Sequence, residues 1–216
     1  MIKNKKVFFI IVITSLILFF LIQFVYKKII SGNNINNQVD NLIEYILSIS
    51  SYEAKLEVTI NSNKTTNKYV LEQYYKEPNY SKQIVKKPQE LENLEIIYNG
   101  NNLEIKNTNL GLTKIYANYN YLNDNLLWLN YFLNSCKKSY VIEDYENEII
   151  IISNLEKYNY KGKLYIDKKT NKPLRIEIID NNNNCKVYIE YKEIKLNNIQ
   201  ENNIFAFKSE SMKKEV

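Results

Sequence analysis

The sequence predicts an α+β protein: an antiparallel sheet of ten or eleven strands with helices on one side, behind an N-terminal transmembrane helix. Three observations carry this reading. Residues 7–26 form an uncharged apolar run. Beyond it, two-residue alternation of apolar and polar side chains recurs in many short segments separated by Asn, Gly or Pro turns. Only two segments have helical periodicity, too few for the crossovers of a parallel sheet.

At a rise of about 1.5 Å per residue, the segment 7–26 covers roughly 30 Å, the hydrocarbon thickness of a bilayer. Lys3, Lys5 and Lys6 precede it and Lys27 and Lys28 follow it. The positive-inside rule then gives a cytoplasmic N-terminus over 1–6 and an extracytoplasmic remainder. The length of the run and the lack of an A-x-A site favour an uncleaved anchor over a cleaved signal peptide. Ile30, Ser31, Gly32 and Asn33 have the form of a lipoprotein cleavage box in which Asn33 replaces the acylated cysteine. The expected organisation is an anchor over 7–26, a linker over 27–37, one domain over 38–208 and a tail over 209–216.

The net charge of +5 does not point to nucleic acid. The five lysines flanking the anchor account for it, leaving 24 basic and 24 acidic residues in the exterior part. Phosphate recognition needs a local excess of Lys and Arg. Asn and the 19 Tyr are abundant throughout, so a single Asn or Tyr signals little.

Residues 33–51 are expected to be helical, with Val39, Leu42, Ile43, Ile46 and Leu47 on one face. Strict alternation then places Tyr52, Ala54, Leu56, Val58 and Ile60 on one side of a strand. Strands follow in NKYVLEQYYK and YSKQIVKK, in a hairpin around Asn99-Gly100 and in LTKIYA. Residues 118–135 are the second expected helix, with Leu122, Leu126, Leu129 and Leu133 in a stripe widened by Trp128 and Phe132. SYVIED, NEIIIIS, a three-stranded meander over 164–191 and a short closing strand NIFAF complete the chain.

The meander's register can be read directly. A loop over 181–184 sets Ile178 opposite Val187, Ile176 opposite Ile189 and Leu174 opposite Tyr191, with Arg175 opposite Glu190 on the other face. The preceding turn brings Ile166 opposite Leu174 and Leu164 opposite Ile176. Arg175, the only arginine, is expected to form a cross-strand ion pair with Glu190.

Catalytic groups are scarce. With no histidine, Ser-His and Cys-His nucleophiles are excluded and a zinc site is disfavoured. Ser135-Cys136-Lys137-Lys138-Ser139 could supply a Ser-Lys pair, but it lies past a helix end, where lysines complement the helix dipole. The acids Glu143, Asp144, Glu146 and Glu148 lie in a charged turn between strands. No enzyme activity, cofactor, metal or nucleic acid is expected. Cys136 and Cys185 lie outside the membrane, where pairing is chemically permitted but not indicated. Binding remains, and a curved sheet covered by helices encloses an apolar concavity whose candidate lining is Leu126, Trp128, Leu129 and Phe132.

The order of these elements resembles the outer-membrane-lipoprotein carrier (LolA/RseB-like) superfamily across residues 38–207. SYEAKLEVTI, the Tyr98-Asn99-Gly100 hairpin and the turn Asp167-Lys168-Lys169-Thr170-Asn171-Lys172-Pro173 carry the resemblance. It implies an open antiparallel half-barrel with helices on its concave face. Within the superfamily the chain looks most like the germination lipoproteins (GerS-like) of clostridial spore formers. That likeness implies a partner, an N-acetylmuramoyl-L-alanine amidase of the spore cortex, and a capacity to dimerise. The expected function is thus a membrane-tethered, non-enzymatic regulator that binds a cell-wall amidase in sporulation or germination. The alternative is a lipid or lipoprotein carrier holding acyl chains in the concavity.

Overall fold

The computed structural model describes residues 37–62, 64–119 and 125–207. The expected anchor lies outside them, and among the described residues no helix is long and apolar enough to cross a membrane. The chain divides into two compact units, residues 1–46 and 47–216.

Helix α1 spans 37–47 and buries Leu42, Ile43 and Ile46, members of the expected stripe. It ends short of Ser51, where the first strand begins.

Among its described residues the second unit holds one open sheet of 11 antiparallel strands. In chain order these are β1 (Ser51–Asn61), β2 (Thr66–Lys76), β3 (Tyr80–Lys87), β4 (Leu94–Asn99), β5 (Leu103–Asn107) and β6 (Leu112–Tyr116). After helix α2 (Leu129–Cys136) come β7 (Val141–Asp144), β8 (Glu148–Leu155), β9 (Tyr160–Asp167), β10 (Lys172–Ile179) and β11 (Cys185–Leu196). Two meanders, β1 to β6 and β7 to β11, are fused where β1 pairs with β11, so β6 and β7 are the two sheet edges. The connection between those edges carries α2, which packs on β8.

Alternation builds the core. Tyr52, Ala54, Leu56 and Val58 of β1 are all buried, as are Leu164, Ile166, Ile176, Ile178 and Ile189 of the meander. Turns use the abundant asparagines: Asn159, Asn171, Asn183 and Asn197 adopt positive φ, which Asn tolerates better than most side chains. In the 181–184 turn Asp180 Oδ1 accepts from the backbone N–H groups of Asn182 (2.9 Å) and Asn184 (2.8 Å). The donors around its carboxylate, with Asn184 foremost, lower the Asp180 pKa to about 2.

Four local expectations are corrected. Helix α2 starts at Leu129, and the described part of the preceding segment is not helical. Asn118 adopts positive φ, Asn125 Oδ1 takes the Leu127 N–H at 3.0 Å, and Trp128 is extended. Asn side chains that bond nearby backbone compete with the helix ladder, and here they win. NIFAF is a 3₁₀ turn, Asn203–Phe205, whose Phe205 is buried 5.7 Å from the Tyr80 ring. The expected hairpin around Asn99-Gly100 is present between β4 and β5: Gly100 takes positive φ, and Asn99 Oδ1 caps the turn by accepting from Asn101 and Asn102.

The third and fourth corrections concern β10, its register with β9 and the partner of Arg175. The expected pairs Arg175–Glu190, Ile176–Ile189, Ile178–Val187 and Leu164–Ile176 are all present, but Pro173, not Leu174, opposes Ile166. A register shift between Pro173 and Arg175 accommodates this and buries the proline. Arg175 faces Glu190 across the ladder, yet its guanidinium bonds Glu148 and Glu177, each at 3.4 Å, and lies 3.5 Å over the Tyr165 ring. Glu190 pairs with Lys192 at 2.8 Å.

Candidate binding surfaces

Helix α2 is only eight residues long, below the length at which a helix is stable alone, so tertiary contacts must hold it. Its first N–H, on Leu129, donates to Tyr52 Oη at 3.3 Å. Tyr52 Oη donates on to Gln73 Oε1 at 3.4 Å, and Gln73 Nε2 donates to Gln83 Oε1 (3.0 Å) and to the Leu127 carbonyl (3.2 Å). This buried chain ties the helix entry to β1, β2 and β3. At the other side Phe132 sits on Gly162 of β9, where any Cβ would stand 2.8 Å from Phe132 Cδ2. Ser135 Oγ donates to the Phe132 carbonyl (2.6 Å) and lies 3.0 Å from Ser153 Oγ of β8, which donates to the Ser139 carbonyl.

The four concavity candidates fall on this seat. Trp128, Leu129 and Phe132 are buried beneath the helix, and Leu126 is half-buried in the turn before it. Their environment is that of a packed core.

Beside α2 lies a cleft of about 570 Å³. Its floor holds Tyr75, Asn130 and Leu155, all buried, and its exposed rim includes Asn79, Asn134 and Asn154. The Asn130 amide bonds the Tyr75 hydroxyl, but its Oδ1 is covered and has no hydrogen-bond partner. Burial, chiefly, pushes Tyr75 up to about 12. One wall carries the Lys138–Glu156 ion pair, and Lys157 lies against the Tyr158 ring.

The exposed apolar side chains lie elsewhere. Of the ten large hydrophobic residues exposed among those described, eight flank or form the two edges. Leu110, Leu112, Ile115 and Tyr119 surround β6, with Leu112 60% exposed. Tyr140, Val141, Ile142 and Tyr145 surround β7, with Val141 63% exposed. Among the described residues each edge also offers backbone N–H and C=O groups with no neighbouring strand, the arrangement a partner strand completes.

Reactive groups are otherwise engaged. Lys138 pairs with Glu156, Ser135 Oγ donates to the Phe132 carbonyl, and Asp144 pairs with Lys168. Cys136 and Cys185 are free thiols, and burial pushes Cys136 up to about 11, out of the nucleophilic range. Among the described residues no group of three or more acids or cysteines could hold a metal.

The edges escaped the sequence reading because edge position follows from strand order, which local alternation does not encode. A faint signal exists: Val141 and Ile142 are adjacent, so no single buried face can cover both. The cleft had no signal, since its asparagines come from three distant segments.

The family model described as "Sporulation protein YdcC-like" matches residues 5–205. The chain belongs to this family. Among curated proteins none matches significantly. Among solved structures, an uncharacterized conserved protein of Thermus thermophilus resembles it with a TM-score of 0.50 at 12% identity, covering 83% of this chain and 96% of the other. The GerS lipoprotein of Clostridioides difficile, solved in complex with the CwlD amidase, gives a match of TM-score 0.44 at 24% identity over 73% of this chain and 93% of that one. A LolA superfamily protein of Nitrosomonas europaea gives 0.42 at 11% identity, over 78% and 97%. Membership of the YdcC-like sporulation family agrees with the sporulation likeness read from the sequence.

Proposed function

We propose that this YdcC-like protein is a membrane-tethered, non-enzymatic binding module that docks a protein partner on the open edges of its sheet. The observation that carries the reading is the concentration of exposed apolar side chains on and around β6 and β7, the two edge strands of the sheet among the described residues. Soluble proteins normally blunt such edges with charge, and an edge left apolar marks a contact surface. Proposed with it are a half-barrel curvature of the sheet, an anchor over 7–26 and an extracytoplasmic position. The GerS likeness supplies the partner class: a cell-wall amidase acting on the spore cortex. Self-association would use the same edges.

An acyl-chain carrier is supported less well. Phe132 and Gly162 are in contact where α2 meets the sheet, which leaves no room there for a lipid tail.

Affinity purification of the full chain from sporulating cells tests the proposal. Recovery of an N-acetylmuramoyl-L-alanine amidase, together with defective cortex modification in a deletion strain, is expected. Recovery of acyl lipid without any amidase, and a normal cortex in the deletion strain, would overturn it.

A further inference from the structure

The cleft beside α2 is not used by edge docking, and it has the makings of a second site. Its volume of about 570 Å³ falls in the range of small-ligand pockets, roughly 300–1,000 Å³. Three segments converge on it: the turn between β2 and β3 with Asn79, α2 with Asn130 and Asn134, and the end of β8 with Asn154.

Asn130 is the unusual member. It is 8% exposed, and the oxygen of its amide has no partner. A buried polar group left unpaired is destabilising, because it has given up its water without gaining a partner. Rotating the amide by half a turn would only leave its nitrogen unpaired in place of its oxygen, because Tyr75 satisfies one end at a time. The floor of the cleft therefore holds a hydrogen-bonding capacity that no group of the protein fills.

The lining selects the ligand's chemistry. Amides both donate and accept, which matches hydroxyl and acetamido groups, themselves both donors and acceptors. Lys138 is paired with Glu156 and Lys157 stands 6.0 Å from the centroid of the Tyr158 ring, so the lining holds no cluster of lysines of the kind that captures an anion. Asparagine at the rim disfavours an acyl chain. Tyr131 lines the cleft, and its ring meets Tyr158 edge-on at 6.3 Å, while Tyr158 stacks on Tyr160 at 6.2 Å. A braced tyrosine offers a fixed apolar face of the kind on which the C–H side of a sugar ring packs.

We infer that this cleft binds a neutral, N-acetylated glycan, through the amides of Asn79, Asn130, Asn134 and Asn154 and the ring of Tyr131. The inference goes beyond partner docking and does not depend on it, since the cleft and the sheet edges share no residue.

Titration of the full chain in detergent micelles with an N-acetylglucosamine tetramer, followed by calorimetry or tyrosine fluorescence, tests it. Saturable binding is expected, with no binding of maltotetraose or of a polyanion such as heparin. Tyr131→Ala and the pair Asn134→Asp/Asn154→Asp, all at partly or fully exposed positions, should weaken binding about tenfold or more, the effect of losing one or two hydrogen bonds or a ring contact. Thermal unfolding of each variant checks that the fold is retained. Absence of tetramer binding, equal binding of maltotetraose or heparin, or binding untouched in both folded variants would overturn the inference.

Discussion

The backbone N–H of Leu129 donates to the hydroxyl of Tyr52 at 3.3 Å, joining residues 77 positions apart. That bond begins a connected polar chain beneath α2, which continues through Gln73 to Gln83 and back to the Leu127 carbonyl. Tyr52→Phe keeps the ring and its neighbours Tyr75 and Trp128 but strands a buried N–H. The expected cost is about 1–3 kcal/mol, read as a lower denaturation midpoint with an unchanged m-value.

Gly162 is required by packing. Gly162→Ala places a methyl group against Phe132, so it should destabilise the protein by about 1–3 kcal/mol. Combining it with Phe132→Ala removes the clash, so the double variant should be less destabilised than the sum of the single ones. A double-mutant cycle measures that coupling.

Alkaline pH should unfold the protein in a defined window. Burial raises Tyr75 and Tyr165 from 10.0 to about 12, and raises Tyr52 and Tyr191 as well. Between pH 10 and 12 the unfolded chain loses phenolic protons that the native state keeps, so stability falls as pH rises through this range. Below pH 10 both states hold those protons and these groups contribute no slope. Tyr75→Phe and Tyr191→Phe should each flatten the decline seen in denaturant titrations between pH 9 and about 12.

Arg175 is held by a ring as well as by charge. Arg175→Lys keeps the charge and loses the flat guanidinium over Tyr165, so a loss of about 0.5–1 kcal/mol is expected. The loss should persist in 0.5 M salt, where a pure surface ion pair would be screened.

The depth to which the sequence was legible varied with the range of the interactions. Alternation in β1 and the meander fixed which residues are buried, because one face meets the core along the whole strand. The meander's pairs were readable where side chains on both strands agreed, and failed at Leu174, where the Pro173 ring changes the ladder. The leucine stripe over 118–135 suggested a long helix, but Asn125 and the long-range bond from Gln73 to Leu127 divert the chain before Leu129. The partner of Arg175 was missed for a similar reason: Glu148 lies on β8, two strands away from β10, and no local pattern announces it.

The edges decide the functional account. Val141→Lys/Ile142→Lys on β7 and Leu112→Lys/Ile115→Lys on β6 replace exposed side chains, so each substitution should shift stability by less than about 0.5 kcal/mol. The most direct measurement is the affinity of the purified full chain, unmodified and with each edge pair altered, for the amidase recovered with it from sporulating cells. The account predicts binding by the unmodified chain and its loss, at an unchanged unfolding midpoint, in at least one edge variant. Equal binding by both edge variants, or no binding by the unmodified chain, would contradict it.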